Sequence, residues 1–226
     1  ERKGAKANVS IAEVNSDKPW QAITEPQRLM RPEWGWELDG VNEGPNVLVS
    51  GGKVYMVFAA FVMVGTVNAV NLTDGIDGLA SSVTLAVGAF FAVAAFMLGA
   101  LPEAVLAGMT IGACLGFLVY NFYPARVFMG DTGSLFLGGA VAALAFAFDM
   151  PLVLILVGII YILETLSDII QVGYFKVTHG KRFFKMAPLH HHLERCGWSE
   201  VKIVTVFCTV TAIFCALAYW GIQGRY

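Results

Sequence analysis

The chain has 226 residues, the length of one or two soluble domains, yet 57% of them are hydrophobic and only 14% are charged, against about 25% charged in ordinary globular chains. A mean hydropathy of +0.65 points to a membrane protein, and a net charge of −2 gives no sign of nucleic-acid binding. The four cysteines, Cys114, Cys196, Cys208 and Cys215, show neither metal-type nor disulfide-scaffold spacing.

Residues 1–53 form the first expected domain. They are polar, balance seven basic against eight acidic residues, and are rich in turn formers such as Pro26, Pro32, Gly40 and Pro45. Trp20, Trp34 and Trp36 suit a small interfacial module or hairpin, because tryptophan favours the membrane–water boundary. The first thirty residues hold no apolar signal-peptide core, so insertion falls to a later helix.

Residues 54–226 form the second expected domain. Six apolar segments follow one another at 54–72, 79–99, 104–122, 134–150, 152–173 and 201–222, and a span needs about 20 such residues. The predicted fold is an all-α polytopic membrane protein with about six transmembrane helices and a polar extracytoplasmic N-terminal segment. Segments outside the bilayer alternate sides, so loops 73–78, 123–133 and 174–200 share one face. Lys176, Lys181, Arg182, Lys185, Arg195 and Lys202 crowd that face, which predicts that it is cytoplasmic.

Three polar clusters lie on this face. The first pairs Asn68 and Asn71 with Asp74 and Asp77, each pair at a spacing of three, with Gly75 and Gly78 leaving room for a tight turn. Helix capping accounts for one of the four and leaves the rest. The second, Met129-Gly-Asp131-Thr-Gly-Ser134, sets a carboxylate before another apolar helix. Helix N-termini attract anions, and carboxylates beside a phosphate call for a cation, of which Mg²⁺ is the natural choice. The third is His190-His191-His192 in a basic loop. Its spacing does not suit zinc; phosphate binding, proton transfer and a solvent-exposed histidine run all remain open. Within the fifth segment Glu164, Asp168 and Gln171 share one helical face, by spacings of four and three. Ionisable groups in a span often mark function, although a structural hydrogen-bond network is an equal reading for Glu164.

Taken together, Val64-Gly-Thr-Val-Asn-Ala-Val-Asn-Leu-Thr-Asp-Gly-Ile-Asp-Gly-Leu-Ala80, Asn121-Phe-Tyr-Pro-Ala-Arg-Val-Phe-Met-Gly-Asp-Thr-Gly-Ser134, Glu164-Thr-Leu-Ser167 and Met186-Ala-Pro-Leu-His-His-His-Leu-Glu194 resemble the polyprenyl-phosphate N-acetylhexosamine phosphate transferase family. The resemblance runs from about Lys53 to the C-terminus, and the histidine run favours the peptidoglycan branch. It implies a bacterial cytoplasmic-membrane enzyme of cell-wall synthesis that transfers phospho-MurNAc-pentapeptide from UDP-MurNAc-pentapeptide to undecaprenyl phosphate. The products would be lipid I and UMP, with Mg²⁺ as cofactor. By the same resemblance Asp131 is a magnesium ligand and Asp74 a carboxylate of the same centre. Asn68, Asn71, Asp77, Asn121, Phe128 and Gln171 belong to the substrate side, and His190, His191 and His192 to catalysis and phosphate contact. A homodimer is compatible with it.

The family's Asp-Asp-x-x-Lys motif is absent from these 226 residues, and Asp168 stands where an apolar residue is expected. The expectation is therefore a C-terminal portion of a larger enzyme or a partial gene product. The competing readings are a non-catalytic remnant that binds nucleotide or lipid, and a transporter or proton relay built on the acids of the fifth span.

Overall fold

The computed structural model describes residues 9–11, 27–30, 49–50, 53–54 and 56–223. The chain divides into two compact units, Glu1–Ala60 and Phe61–Tyr226. In the first, β1 (Val9–Ile11) pairs antiparallel with β2 (Gln27–Met30), and β3 (Val49–Ser50) pairs antiparallel with β4 (Lys53–Val54). Trp20, Trp34 and Trp36, the basis of the expected interfacial module, lie outside the described residues.

The other regular elements described are helices: α1 (Met56–Thr73), α2 (Leu79–Leu98), α3 (Leu101–Asn121), α4 (Gly130–Ala147), a 3-10 turn at Pro151–Val153 running into α5 (Leu154–Val157), then α6 (Ile159–Val177), α7 (Leu189–Arg195) and α8 (Glu200–Gln223). By length and composition α2, α3, α4 and α8 can each cross a membrane. The bent pair Pro151–Val157 and Ile159–Val177 makes a fifth if counted as one span. The described apolar part of α1, Phe58–Thr73, is shorter. The chain is an integral membrane protein with an all-α body.

Helix ends follow local chemistry. Gly99 closes α2 in the left-handed conformation at φ 65°, and the Ala100 amide donates back to the Ala95 carbonyl, an arrangement that glycine adopts without Cβ strain. Pro102 then opens α3 within its first two residues, where its missing N–H costs nothing.

Two expectations are corrected here. The fourth helix begins at Gly130 rather than Ser134, so Asp131 sits in its first turn instead of in the loop before it. The fifth apolar run is not straight but turns by 80° at Gly158. A Cβ at Gly158 would come within 2.6 Å of the Leu154 carbonyl oxygen, so the glycine is what admits the break.

The core centres on α2, which packs against α3, α8 and α4. Leu79, Val83, Val87 and Phe91 are fully buried along it, and Phe91 stacks on Phe148 with ring centroids 5.6 Å apart. A buried bond joins Thr84 Oγ1 to Tyr161 Oη at 2.8 Å. α3 carries an exposed apolar surface that includes Leu101, Val105, Met109 and Val119, as suits contact with lipid tails. Close helix approach rests on small residues, as in other membrane bundles. A Cβ at Gly138 of α4 would lie 2.6 Å from Val67 Cα of α1. That contact sets α1 and α4 side by side one turn away from the polar loops.

Candidate functional site

The Gly138–Val67 approach brings Asn71, near the end of α1, against the first turn of α4. Asn71 Nδ2 donates to Ser134 Oγ at 2.8 Å and to Asp131 Oδ1 at 3.2 Å. Ser134 Oγ in turn donates to the Gly130 carbonyl at 3.1 Å, which holds the turn around Asp131. Asp74 follows α1 in the connecting turn, its amide donating to the Asn71 carbonyl at 3.1 Å. Burial raises the Asp74 carboxyl above its ordinary value of 3.8, and the charge of Asp131 raises it further. The two carboxylates are thus close enough for their charges to repel.

The rest of the turn is held from three sides. Gly78 takes φ 75° to start α2. The Asp77 carboxylate accepts the Ala125 amide at 2.8 Å, and the Asp77 amide donates to Glu200 Oε2 at 3.2 Å. From the third side the imidazole of His190 packs on Gly75, and any Cβ there would collide with Nε2. His190 is fully buried and bonded to Glu164, which is equally buried. All three polar clusters therefore meet at the turn 74–78.

The remaining expected residues occupy varied places. Asn68 is exposed one turn before Asn71, and its amide donates to the Val64 carbonyl at 2.8 Å. Asn121 is buried, accepting from Ser81 Oγ at 3.5 Å and donating to the Val127 carbonyl at 3.0 Å, so here it braces the 122–129 loop. Phe128 in that loop is 75% exposed. Gln171 binds the main chain of the histidine loop: Oε1 accepts the Phe183 and Phe184 amides at 3.1 and 2.9 Å. His191 Nδ1 pairs with Glu194 Oε2 at 2.6 Å, and His192 Nδ1 accepts the Lys185 amide at 3.1 Å.

Beside this loop opens a cavity of about 510 Å³, lined among others by Asp168, Gln171, Lys176, Arg182, Met186 and Arg195. Three cations in the lining, against the single acid Asp168, suit an anionic ligand. Among the described residues no group of three or more His, Cys, Asp or Glu is arranged to hold a metal. Asp74 and Asp131 alone fit a hard cation that takes few carboxylates and completes its shell with water and phosphate oxygens. Their mutual repulsion is what such a cation would relieve. Sequence reasoning placed Ser134 and Glu194 in its polar clusters without giving them a role, and it did not single out Glu200. For Ser134 the signal was present, since it stands three residues from Asp131 on one helical face.

Curated relatives match most of the chain. Proteins of Clostridium acetobutylicum (58% identical over 166 residues), Clostridium perfringens (55% over 174) and Acetivibrio thermocellus (50% over 184) each bear the name phospho-N-acetylmuramoyl-pentapeptide-transferase. The matches cover 74%, 77% and 81% of this chain and 52%, 55% and 56% of those proteins, so the chain spans about half the length of the curated relatives it matches. The profile of glycosyl transferase family 4 matches residues 37–149, half of the chain and the part that carries Asn71, Asp74, Asp77, Asn121 and Asp131. The chain belongs to glycosyl transferase family 4.

Proposed function

We propose that this chain supplies the nucleotide-sugar and metal part of a phosphotransferase that forms lipid I. Phospho-MurNAc-pentapeptide would pass from UDP-MurNAc-pentapeptide to undecaprenyl phosphate, releasing UMP, at the cytoplasmic edge of the bacterial inner membrane. The observation that carries this reading is the Asp74–Asn71–Asp131 cluster at the first turn of α4, in a chain whose relatives bear the name of that enzyme. In the reaction an oxygen of the lipid phosphate bonds to the sugar-linked phosphorus as the bond to UMP breaks. Asp74 and Asp131 would hold Mg²⁺, whose contribution is to neutralise charge on the pyrophosphate. The free N–H groups of the first turn of α4 favour phosphate at the same place. Asn71 fixes the direction of the Asp131 carboxylate. The cations around the 510 Å³ cavity, Lys176, Arg182 and Arg195, suit a further anionic portion of the substrate. His191 and His192, tied to Glu194 and to the Lys185 amide, would shape the loop that closes on it. Asn68, Asn121 and Phe128 would serve the nucleoside side through the two loops they occupy.

The test is UMP release by the chain in lipid vesicles supplied with both substrates and Mg²⁺. Release that disappears in Asp131→Ala supports the reading, and release that persists in Asp131→Ala overturns the metal assignment. Mg²⁺-dependent binding of UDP-MurNAc-pentapeptide with no UMP released would overturn turnover by this chain. Transport is not favoured, because the deep acid Glu164 is engaged by His190 rather than aligned with other acids across the described spans.

A further inference from the structure

Glu164 lies on α6 and His190 on α7, 26 residues apart, and both side chains are withdrawn from solvent. Glu164 Oε2 bonds His190 Nδ1 at 2.8 Å, and Oε1 accepts the His190 main-chain amide at 3.2 Å. A carboxylate can only accept, so the shared proton belongs on Nδ1. The main-chain amide anchors the carboxylate, and the anchored carboxylate holds the ring against a flip. The other ring nitrogen, Nε2, is buried and has no hydrogen-bond partner among the described residues. It is aimed at Gly75, in the turn between Asp74 and Asp77, and only a glycine leaves room for it there. Orphaned buried nitrogens are rare, and one beside a candidate reaction centre calls for a ligand.

We propose that Glu164 is a positioning residue: it keeps the proton of His190 on Nδ1, so that Nε2 is the single ring nitrogen able to exchange a hydrogen bond or a proton with a ligand at the Asp74–Asp77 turn. This deepens the function proposed above and rests on that turn being part of the site. The assignment distributes roles within the histidine run. His190 alone is held from beneath by a buried carboxylate, whereas the ring of His191, 4.2 Å away, pairs with the partly exposed Glu194. The charged groups around His190 are Glu164 and Asp168 on α6, His191 on its own helix, and Asp74 and Asp77 on either side of Gly75. Asp168 acts on it through space. Among the described residues, none of the others hydrogen-bonds Nδ1 in competition with Glu164.

The deciding experiment is ¹⁵N-histidine NMR of the full chain in lipid nanodiscs, with His190 assigned by its loss in His190→Gln. The expected parent spectrum has the proton on Nδ1. Glu164→Gln, which can turn an amide donor toward the ring, is expected to move the proton to Nε2 while the other histidine signals stay in place. A parent ring protonated on Nε2 alone overturns the proposal, and so does a folded Glu164→Gln chain that keeps the proton on Nδ1. The parent measurement decides even where the variant does not fold. Tautomers are read without turnover, so failure of the lipid I reading and failure of this proposal are separable. Where UMP release is measurable, Glu164→Gln is expected to lower kcat about 10–100-fold, the range for partners one step behind a reacting group, with KM little changed. A raised KM at unchanged kcat would assign Glu164 to substrate affinity instead and overturn it.

Discussion

The two ends of the helical bundle differ in how their connections are built. At one end α2 passes to α3 through Gly99 and Ala100 alone, and α4 reaches the 3-10 turn across Phe148 to Met150. Those links are closed by main-chain bonds such as Ala100 to Ala95 and Met150 to Ala145. At the other end the connections are longer, and side chains tie them to each other: Asn71 to α4, Asp77 to the 122–129 loop, Glu200 to the Asp77 amide, Gln171 to the histidine loop. Short main-chain-closed links serve the fold alone. Polar cross-links between distant segments cost desolvation and side-chain entropy, and their concentration at one end marks where precise placement matters.

Asp131→Ala is the strongest way to break the contrast. Removing one group aimed at developing charge commonly costs about 10²–10³ in rate, and a comparable loss of UMP release is expected, together with loss of Mg²⁺-dependent nucleotide binding by calorimetry. Gly75→Ala should follow closely. Its methyl group would strike the His190 ring, displacing either the ring or the Asp74 turn, and the His190 ¹⁵N signals should shift with it. Gly138→Leu acts one turn deeper by forcing α1 from α4. Overpacking of this kind costs about 1–3 kcal/mol, so a lower melting temperature in nanodiscs should accompany weaker cation binding.

The pH dependence of Asp74 gives a smaller effect with a definite sign. Its folded carboxyl is raised above 3.8 by burial and by Asp131, so in the window just above that value the folded chain holds a proton that the unfolded chain has released. Stability of the cation-free chain should therefore fall as pH rises through the window, and Mg²⁺ affinity should rise as the proton leaves. Asp74→Asn should abolish both slopes in a pH-resolved thermal and binding titration. At the opposite end, Leu101→Ala alters a residue 73% exposed on the described surface. Its effect should stay within about 0.5 kcal/mol, with ligand binding unchanged in the same assays.

The membrane class, the order of the apolar helices and the three polar clusters were legible in the sequence, because each depends on local composition. Hydropathy runs report span length, and glycine beside aspartate reports a tight polar turn. The break at Gly158 was not legible: the stretch from 152 to 163 reads as uniformly apolar, and only the close approach to the Leu154 carbonyl shows why a glycine is needed there. The first turn of α4 was placed four residues late, since Gly130 and Gly133 resemble loop residues until Asn71 and Ser134 are seen bonded across the two helices.

The sequence by itself determined which residues are polar inside an apolar chain and, through span parity, which loops share a side. Tertiary structure alone decided the pairings. Asn121 turned to brace its own loop, Gln171 turned to hold the histidine loop, and Glu164 was joined to His190 across 26 residues. Composition and spacing report the cost of a polar group. Its partner depends on where helix packing at contacts such as Gly138 against Val67 carries it, and that is a property of the whole bundle.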